Sequence, residues 1–174
     1  MSSAPSSASS RRTRLAESPR YPWVVLTAAL LGLFSAGFSI TVLAVSVNTI
    51  AEDLSTSRNL MTWVVTGPIL AYAVFGPSAG KLADILGARR VFLVALSIVV
   101  LFAALSAVAW SGTSLIAFRV IGAVFGSAVG PSSMSMINRL FPPAERAKAL
   151  GFWAMVAAGG PVIGVVIGGP VVEA

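Results

Sequence analysis

Arg119 is the residue with the plainest chemical capacity in this sequence, because it is the one charge within an otherwise apolar stretch, Leu115 to Ile137. A guanidinium stays protonated, carries five N–H donors in a planar fork and accepts nothing, so it holds anions or clusters of oxygen acceptors. Buried in hydrocarbon, such a charge faces a cavity or an anionic partner. Close to a membrane surface, a long side chain has another option and snorkels to the interface. Arg119 lies about one helical turn from the expected end of its stretch, so both readings stand on the sequence.

The second group is Gly80-Lys81-Leu82-Ala83-Asp84-Ile85-Leu86-Gly87-Ala88-Arg89-Arg90. Asp84 is its only acid and is followed by Arg89 and Arg90. The two glycines, Gly80 and Gly87, permit backbone angles and close approaches closed to larger residues. As electrostatics alone, the segment reads as a basic connecting loop with a helix-capping acid. A third group has no charge: Gly122, Gly126 and Gly130 recur every four residues, as do Gly160, Gly164 and Gly168. On a helix that spacing lines one narrow face with glycine and lets a neighbouring backbone come close. Static packing and a sliding seam fit the pattern equally.

Much chemistry is excluded. Among 174 residues there is no Cys and no His, so disulfides, thiolate or imidazole metal sites and Ser-His catalysis cannot be assembled. No enzyme activity, cofactor or metal is expected.

Something must position these residues, and composition says what. Hydrophobic residues make up 56% and charged residues 10% of the chain, against roughly a quarter charged in soluble domains. The net charge of +6 would suggest nucleic acid in a soluble protein, but the basic residues fall between long uncharged runs, so a bilayer is expected and nucleic acid is not. The uncharged runs are 31 residues between Arg20 and Glu52, 22 between Arg58 and Lys81, 28 between Arg90 and Arg119, 19 between Arg119 and Arg139, and 24 between Lys148 and Glu173. About 20 apolar residues span a bilayer. Five transmembrane helices are therefore expected at about 23–47, 60–79, 91–110, 115–137 and 149–172, the fourth carrying Arg119 inward after the turn Ser111-Gly112-Thr113-Ser114.

Lys and Arg collect on one side: Arg11, Arg12, Arg14 and Arg20, then Lys81, Arg89 and Arg90, then Arg139, Arg146 and Lys148. By the positive-inside rule this side, with the N-terminus, is cytoplasmic. Residues 1–20, rich in Ser, Ala and Arg, read as a disordered basic tail held near anionic lipid. Ser10 to Leu15 partly matches a twin-arginine export signal, but the apolar run continues to Val47, longer than a signal peptide requires.

In its order of residues, Gly80-x-Leu82-Ala83-Asp84-x-x-Gly87-x-Arg89-Arg90 resembles the loop signature between helices 2 and 3 of the major facilitator superfamily. Arg119-Val120-Ile121-Gly122 with Gly126 and Pro131 is similar to the family's helix-4 pattern, and Gly160-Pro161-Val162-Ile163-Gly164 through Gly168-Gly169 to the helix-5 pattern of its antiporter and drug-exporter branches. Trp63-Val64-Val65-Thr66, Thr49 to Leu54 and Phe141 to Leu150 extend the resemblance over roughly residues 23–174. The sequence departs from the family at Ala88, where Asp84 would find its usual Arg partner; at Gly122, which replaces a Gln; at Val165, which replaces a Pro that Pro161 stands one turn before; and at Ser39, where drug:proton antiporters often carry an Asp.

The resemblance implies an all-α integral membrane protein, the first five helices of an incomplete N-terminal six-helix bundle, in the plasma membrane. It implies a secondary transporter exporting small organic or drug-like molecules by alternating access, with protons as a coupling ion. No acid lies inside the five helices to carry them. It further implies that Gly80, Asp84, Gly87, Arg89 and Arg90 form a cytoplasmic gating latch, that Arg119 faces the cavity, and that Gly160, Pro161, Gly164, Gly168 and Gly169 lie at the bundle interface. With Ala88 in place of the usual Arg, the latch is expected either to be weaker than usual or to borrow Arg89 for Asp84. Five helices cannot close that bundle, so the chain reads as an N-terminal fragment or truncated gene product that needs the missing C-terminal helices as partners. The alternative from another class is a non-transporting membrane scaffold that binds other helices through its glycine faces.

Overall fold

A computed structural model describes residues 21–53 and 57–173. Its regular elements are α1 (Tyr21–Asp53), α2 (Arg58–Leu86), α3 (Ala88–Ala107), α4 (Gly112–Gly126), α5 (Val129–Leu140) and α6 (Pro143–Glu173), with no strand among the described residues. Among the described residues five stretches are long and apolar enough to cross a membrane: Tyr21–Ser46, Leu60–Leu86, Ala88–Ala107, Gly112–Leu140 and Pro143–Ile167. The fourth consists of α4 and α5 together. The chain is thus an all-α integral membrane protein, as the uncharged runs require. The basic tail expected over residues 1–20 lies outside the described residues.

Helix ends depart from expectation in ways that have physical causes. The segment Gly80–Arg90, expected as a loop, is almost wholly helical: α2 runs to Leu86 and α3 begins at Ala88, with Gly87 alone between them. Gly87 has φ 93° and ψ 121°, a backbone conformation that strongly favours glycine, and its carbonyl accepts the N–H groups of Arg90 and Val91 to start α3. Gly80 needs no such freedom, since it lies inside α2, and among the described glycines only Gly87 has a positive φ. At the opposite end of α3, Ser111 is the N-cap of α4: its hydroxyl accepts from Ser114 N–H at 3.2 Å while Ser114 Oγ accepts from Ser111 N–H at 3.1 Å. This reciprocal cap replaces orphan donors at the helix start.

The fourth span, expected to be continuous, is interrupted at Ser127 and Ala128. Pro131 accounts for this, because it has no N–H to give the Ser127 carbonyl four residues back. Serine hydroxyls take over locally: Ser127 Oγ donates to Val124 O at 2.7 Å, and Ser132 Oγ to Ala128 O at 2.5 Å.

Without a hydrophobic difference between lipid and protein, helices associate by close contact of small residues. The core reflects that. Ala29, Ala79, Ala83, Ala88, Ala95 and Ala128 are buried together around Phe92, Val129 and Met136, where α1, α2, α3 and α5 meet. α6 packs along α1, while α4 lies between α2 and α3. Leu26, Ile137, Phe141 and Ala149 close the basic end between α1, α5 and α6.

Candidate functional site

Arg119 is seven residues into α4, about 10 Å along its axis, so it lies further from the helix end than the sequence suggested. Its side chain crosses the bundle to α1. Nη2 donates to the Ser39 carbonyl oxygen at 3.1 Å and Nη1 to Ser39 Oγ at 3.4 Å. Arg119 Nε is buried and has no partner. The guanidinium therefore ends inside the protein, on a serine in mid-helix, and not at the membrane surface.

Close helix approach makes this reach feasible. A Cβ on Gly122 would stand 3.2 Å from Phe102 of α3, and one on Gly126 would collide with the Tyr72 hydroxyl of α2. Two of the three glycines of the expected face thus set the distance of α4 from two neighbours, whereas Gly130, in α5, has open space around it. From α2, Gly67 accommodates Val120 in the same way.

Between these four helices is a half-open cleft lined by Ser39, Tyr72, Phe102, Ser106, Phe118 and Arg119 among others, with about 40 Å³ of cavity volume. Phe118 lies 6.3 Å from Phe102 and 6.0 Å from Trp110 between ring centroids, forming an aromatic wall. A cation held on neutral oxygens beside an apolar wall can bind an anion or an oxygen-rich group. No cluster of three potential metal ligands occurs among the described residues.

The second site is at the basic end. Asp84 Oδ1 accepts from Ser135 Oγ at 3.3 Å and pairs with Arg139 Nη2 at 3.5 Å, both on α5. This corrects the expected partner: Asp84 meets Arg139 and not Arg89. Arg139 was not singled out from the sequence, although its spacing of four from Ser135 puts both on one face of α5. The two side chains are 58% and 68% exposed, so the pair lies open to solvent or headgroups. Arg89 and Arg90 are exposed and line a recess beside Gly87 together with Arg139.

The helix-5 motif is on α6, against α1. Gly160 abuts Phe34, Pro161 covers Gly37, and Gly164 meets Thr41 and the Phe38 carbonyl. α6 is helical through Pro161. Gly168 and Gly169 continue the helix, but their surroundings lie outside the described residues.

A bundle of apolar helices joined through glycine faces, with one arginine turned into a largely apolar cleft, has the make-up of a membrane transport protein. Residues 29–174 match the Major Facilitator Superfamily, and the chain belongs to that family. It is 39% identical over 148 residues to the multidrug export protein EmrB of Haemophilus influenzae, covering 84% of this chain and 29% of that protein. It is 32% identical over 152 residues to the tetracenomycin C resistance and export protein of Streptomyces glaucescens, covering 87% and 28%. Among solved structures, a bacterial homologue of the human lysosomal transporter Spinster, inward-facing and unoccupied, superposes with a TM-score of 0.73 at 29% identity, over 88% of this chain and 32% of that one. The chain thus spans about a third or less of the proteins it matches, and its similarity is to drug-resistance and export proteins of the family.

Proposed function

We propose that this chain forms one side of a transporter that exports small organic or drug-like molecules by alternating access, with the cleft around Arg119 as part of its substrate path. The observation that carries the reading is the Arg119 to Ser39 contact: a charge that is costly in the membrane is kept inside the bundle, beside a cleft, when an apolar residue would pack at no such cost. The similarity to proteins named for resistance and export supports the substrate class. The facing wall of the path would come from a second bundle, as in transporters built from two repeats with substrate near the midplane.

In this reading the basic end is cytoplasmic and the membrane is the plasma membrane, in keeping with the positive-inside rule. Gly80, Asp84, Gly87, Arg89 and Arg90 make up the inner latch, with the Asp84 to Arg139 pair as its closure between α2 and α5. Gly160, Pro161 and Gly164 seat α6 on α1 within this chain, so of the expected interface set Gly160, Pro161, Gly164, Gly168 and Gly169 only the last two would remain for a face toward the second bundle. If protons drive transport, the acid that carries them lies outside these five spans.

The scaffold alternative finds less support. The glycine faces it would use at Gly122, Gly126, Gly160 and Gly164 are already filled from within the chain. The test is reconstitution of the whole protein that carries this chain into proteoliposomes, followed by uptake of a fluorescent drug-like compound under an imposed ion gradient. Gradient-dependent uptake is expected. Correct folding without uptake of any compound in a chemically varied panel would overturn the proposal.

A further inference from the structure

We propose that the cleft at Arg119 is a subsite for an anionic head group, and that the molecules it takes are amphipathic carboxylates. The binding claim stands on the geometry of this chain; only the statement that the bound anion is also the transported molecule rests on the transporter reading.

Charge is the first argument. The chain has six acids; the two whose side chains are described, Asp84 and Glu145, do not line the cleft. Ser39 gives Arg119 two oxygen contacts but no negative charge. The guanidinium is therefore solvated by dipoles without being neutralised, and an anion entering the cleft gains what Ser39 does not supply. A cation of equal size meets repulsion there, and a neutral amide gains hydrogen bonds only.

Donor geometry is the second. Arg119 uses its two Nη atoms toward Ser39, while buried Nε has no partner. An edge of a guanidinium presents two parallel N–H groups and matches the two oxygens of a carboxylate. Nε itself is buried away from solvent, so the donors a carboxylate in the cleft can meet are the second N–H groups of Nη1 and Nη2, whose first ones go to Ser39.

Size is the third. The cavity of about 40 Å³ has room for roughly three water-sized groups, enough for a carboxylate and too little for a whole organic molecule. The body of the ligand must lie outside, along the open side. Ile40, Val99, Phe102 and Phe118 are among the residues that line the cleft, and such a lining favours an apolar or aromatic body over a hydrophilic one.

The test compares isosteres on the whole protein that carries this chain, in nanodiscs of zwitterionic lipid, with benzoate, benzamide and benzylammonium as probes and equilibrium dialysis against empty nanodiscs. Benzoate should bind at least tenfold tighter than benzamide, and benzylammonium weakest. Ser39→Asp supplies an internal carboxylate and should lower benzoate affinity at least tenfold while changing benzamide affinity less than twofold. Arg119→Lys keeps the charge but loses the fork, and should reduce the preference for benzoate over benzamide. Circular dichroism on each variant identifies any that misfold, and Arg119→Lys serves if Ser39→Asp does. Equal binding of benzoate and benzamide, no binding of benzoate to the folded protein, or a folded Ser39→Asp that still binds benzoate as the parent does would each overturn the proposal. Transport of neutral or cationic compounds by the whole protein would survive such a result, so the two readings fail separately.

Discussion

Gly164 of α6 lies against Thr41 of α1 with no room for a side chain between the two helices. Thr41 turns its hydroxyl hydrogen back to its own helix, donating to Gly37 O at 3.0 Å and to Phe38 O at 3.2 Å, so the hydroxyl oxygen that lies nearest Gly164 has its donor met within α1. With Pro161 seated over Gly37 and Gly160 on Phe34, α1 and α6 meet backbone to backbone over at least four residues of each.

Gly164→Val should therefore separate the two helices. A Cβ there meets Thr41 and the Phe38 carbonyl, and the backbone cannot yield as a flexible side-chain end would. A loss of about 1–3 kcal/mol is expected, read as a lower midpoint in thermal unfolding of the detergent-solubilised chain. Gly151→Ala, in the same helix with nothing within 4 Å, should change stability by no more than about 0.5 kcal/mol. Equal effects at the two sites would count against the packing described.

Gly87→Ala tests the single-residue connection between α2 and α3. A residue with a Cβ at φ 93° is strained by about 1–3 kcal/mol, with nothing nearby to clash. The penalty should therefore be the same for Ala and Ser, because it comes from the backbone and not from size. A thermal midpoint unchanged in both variants would mean that the connection relaxes freely.

Asp84 and Arg139 are too exposed for their pair to hold the fold, and exposed pairs contribute about 0.2–1 kcal/mol. Asp84→Asn should leave thermal stability within about 1 kcal/mol of the parent yet reduce transport by the whole protein severalfold if the pair acts as a latch. Exchanging the charges, Asp84→Arg with Arg139→Asp, should recover part of that loss. Full transport by Asp84→Asn at normal expression would leave Asp84 as no more than a surface acid.

The spans were legible because lipid tolerates few charges, and gaps between charges are counted directly from the sequence. Their ends were less so. The stretch Gly80–Leu86 looked like a loop for its glycines and charges, but a helix can continue beyond the apolar layer carrying both, and only Gly87 required a turn. The interruption before α5 had a local signal in Pro131, four residues after Ser127. The site contacts had none: Asp84 and Arg139 are 55 positions apart, and Ser39 and Arg119 are 80. Such pairs arise from how the helices pack, which periodicity along one helix does not report. The sequence did mark Ser39 and Arg119 separately, one as a missing acid and the other as a stranded base.

Orientation is open to a direct chemical test, since the chain has no native cysteine. Single cysteines at exposed Ala144 and Thr113 should label from opposite sides of the membrane, Thr113→Cys from outside and Ala144→Cys only after permeabilisation. Labelling of both from outside would break the proposed topology, and labelling of Ala144→Cys alone from outside would reverse it.

The most direct test of the central claim is transport by the whole protein carrying Arg119→Lys. Lysine keeps the positive charge and can snorkel as arginine does, but it cannot bridge Ser39 Oγ and the Ser39 carbonyl with a planar fork. With Arg119 part of the substrate path, uptake into proteoliposomes should fall at least tenfold while membrane insertion and thermal midpoint stay near those of the parent. Transport at the parent rate by a correctly inserted Arg119→Lys protein would contradict the account and remove Arg119 from the path.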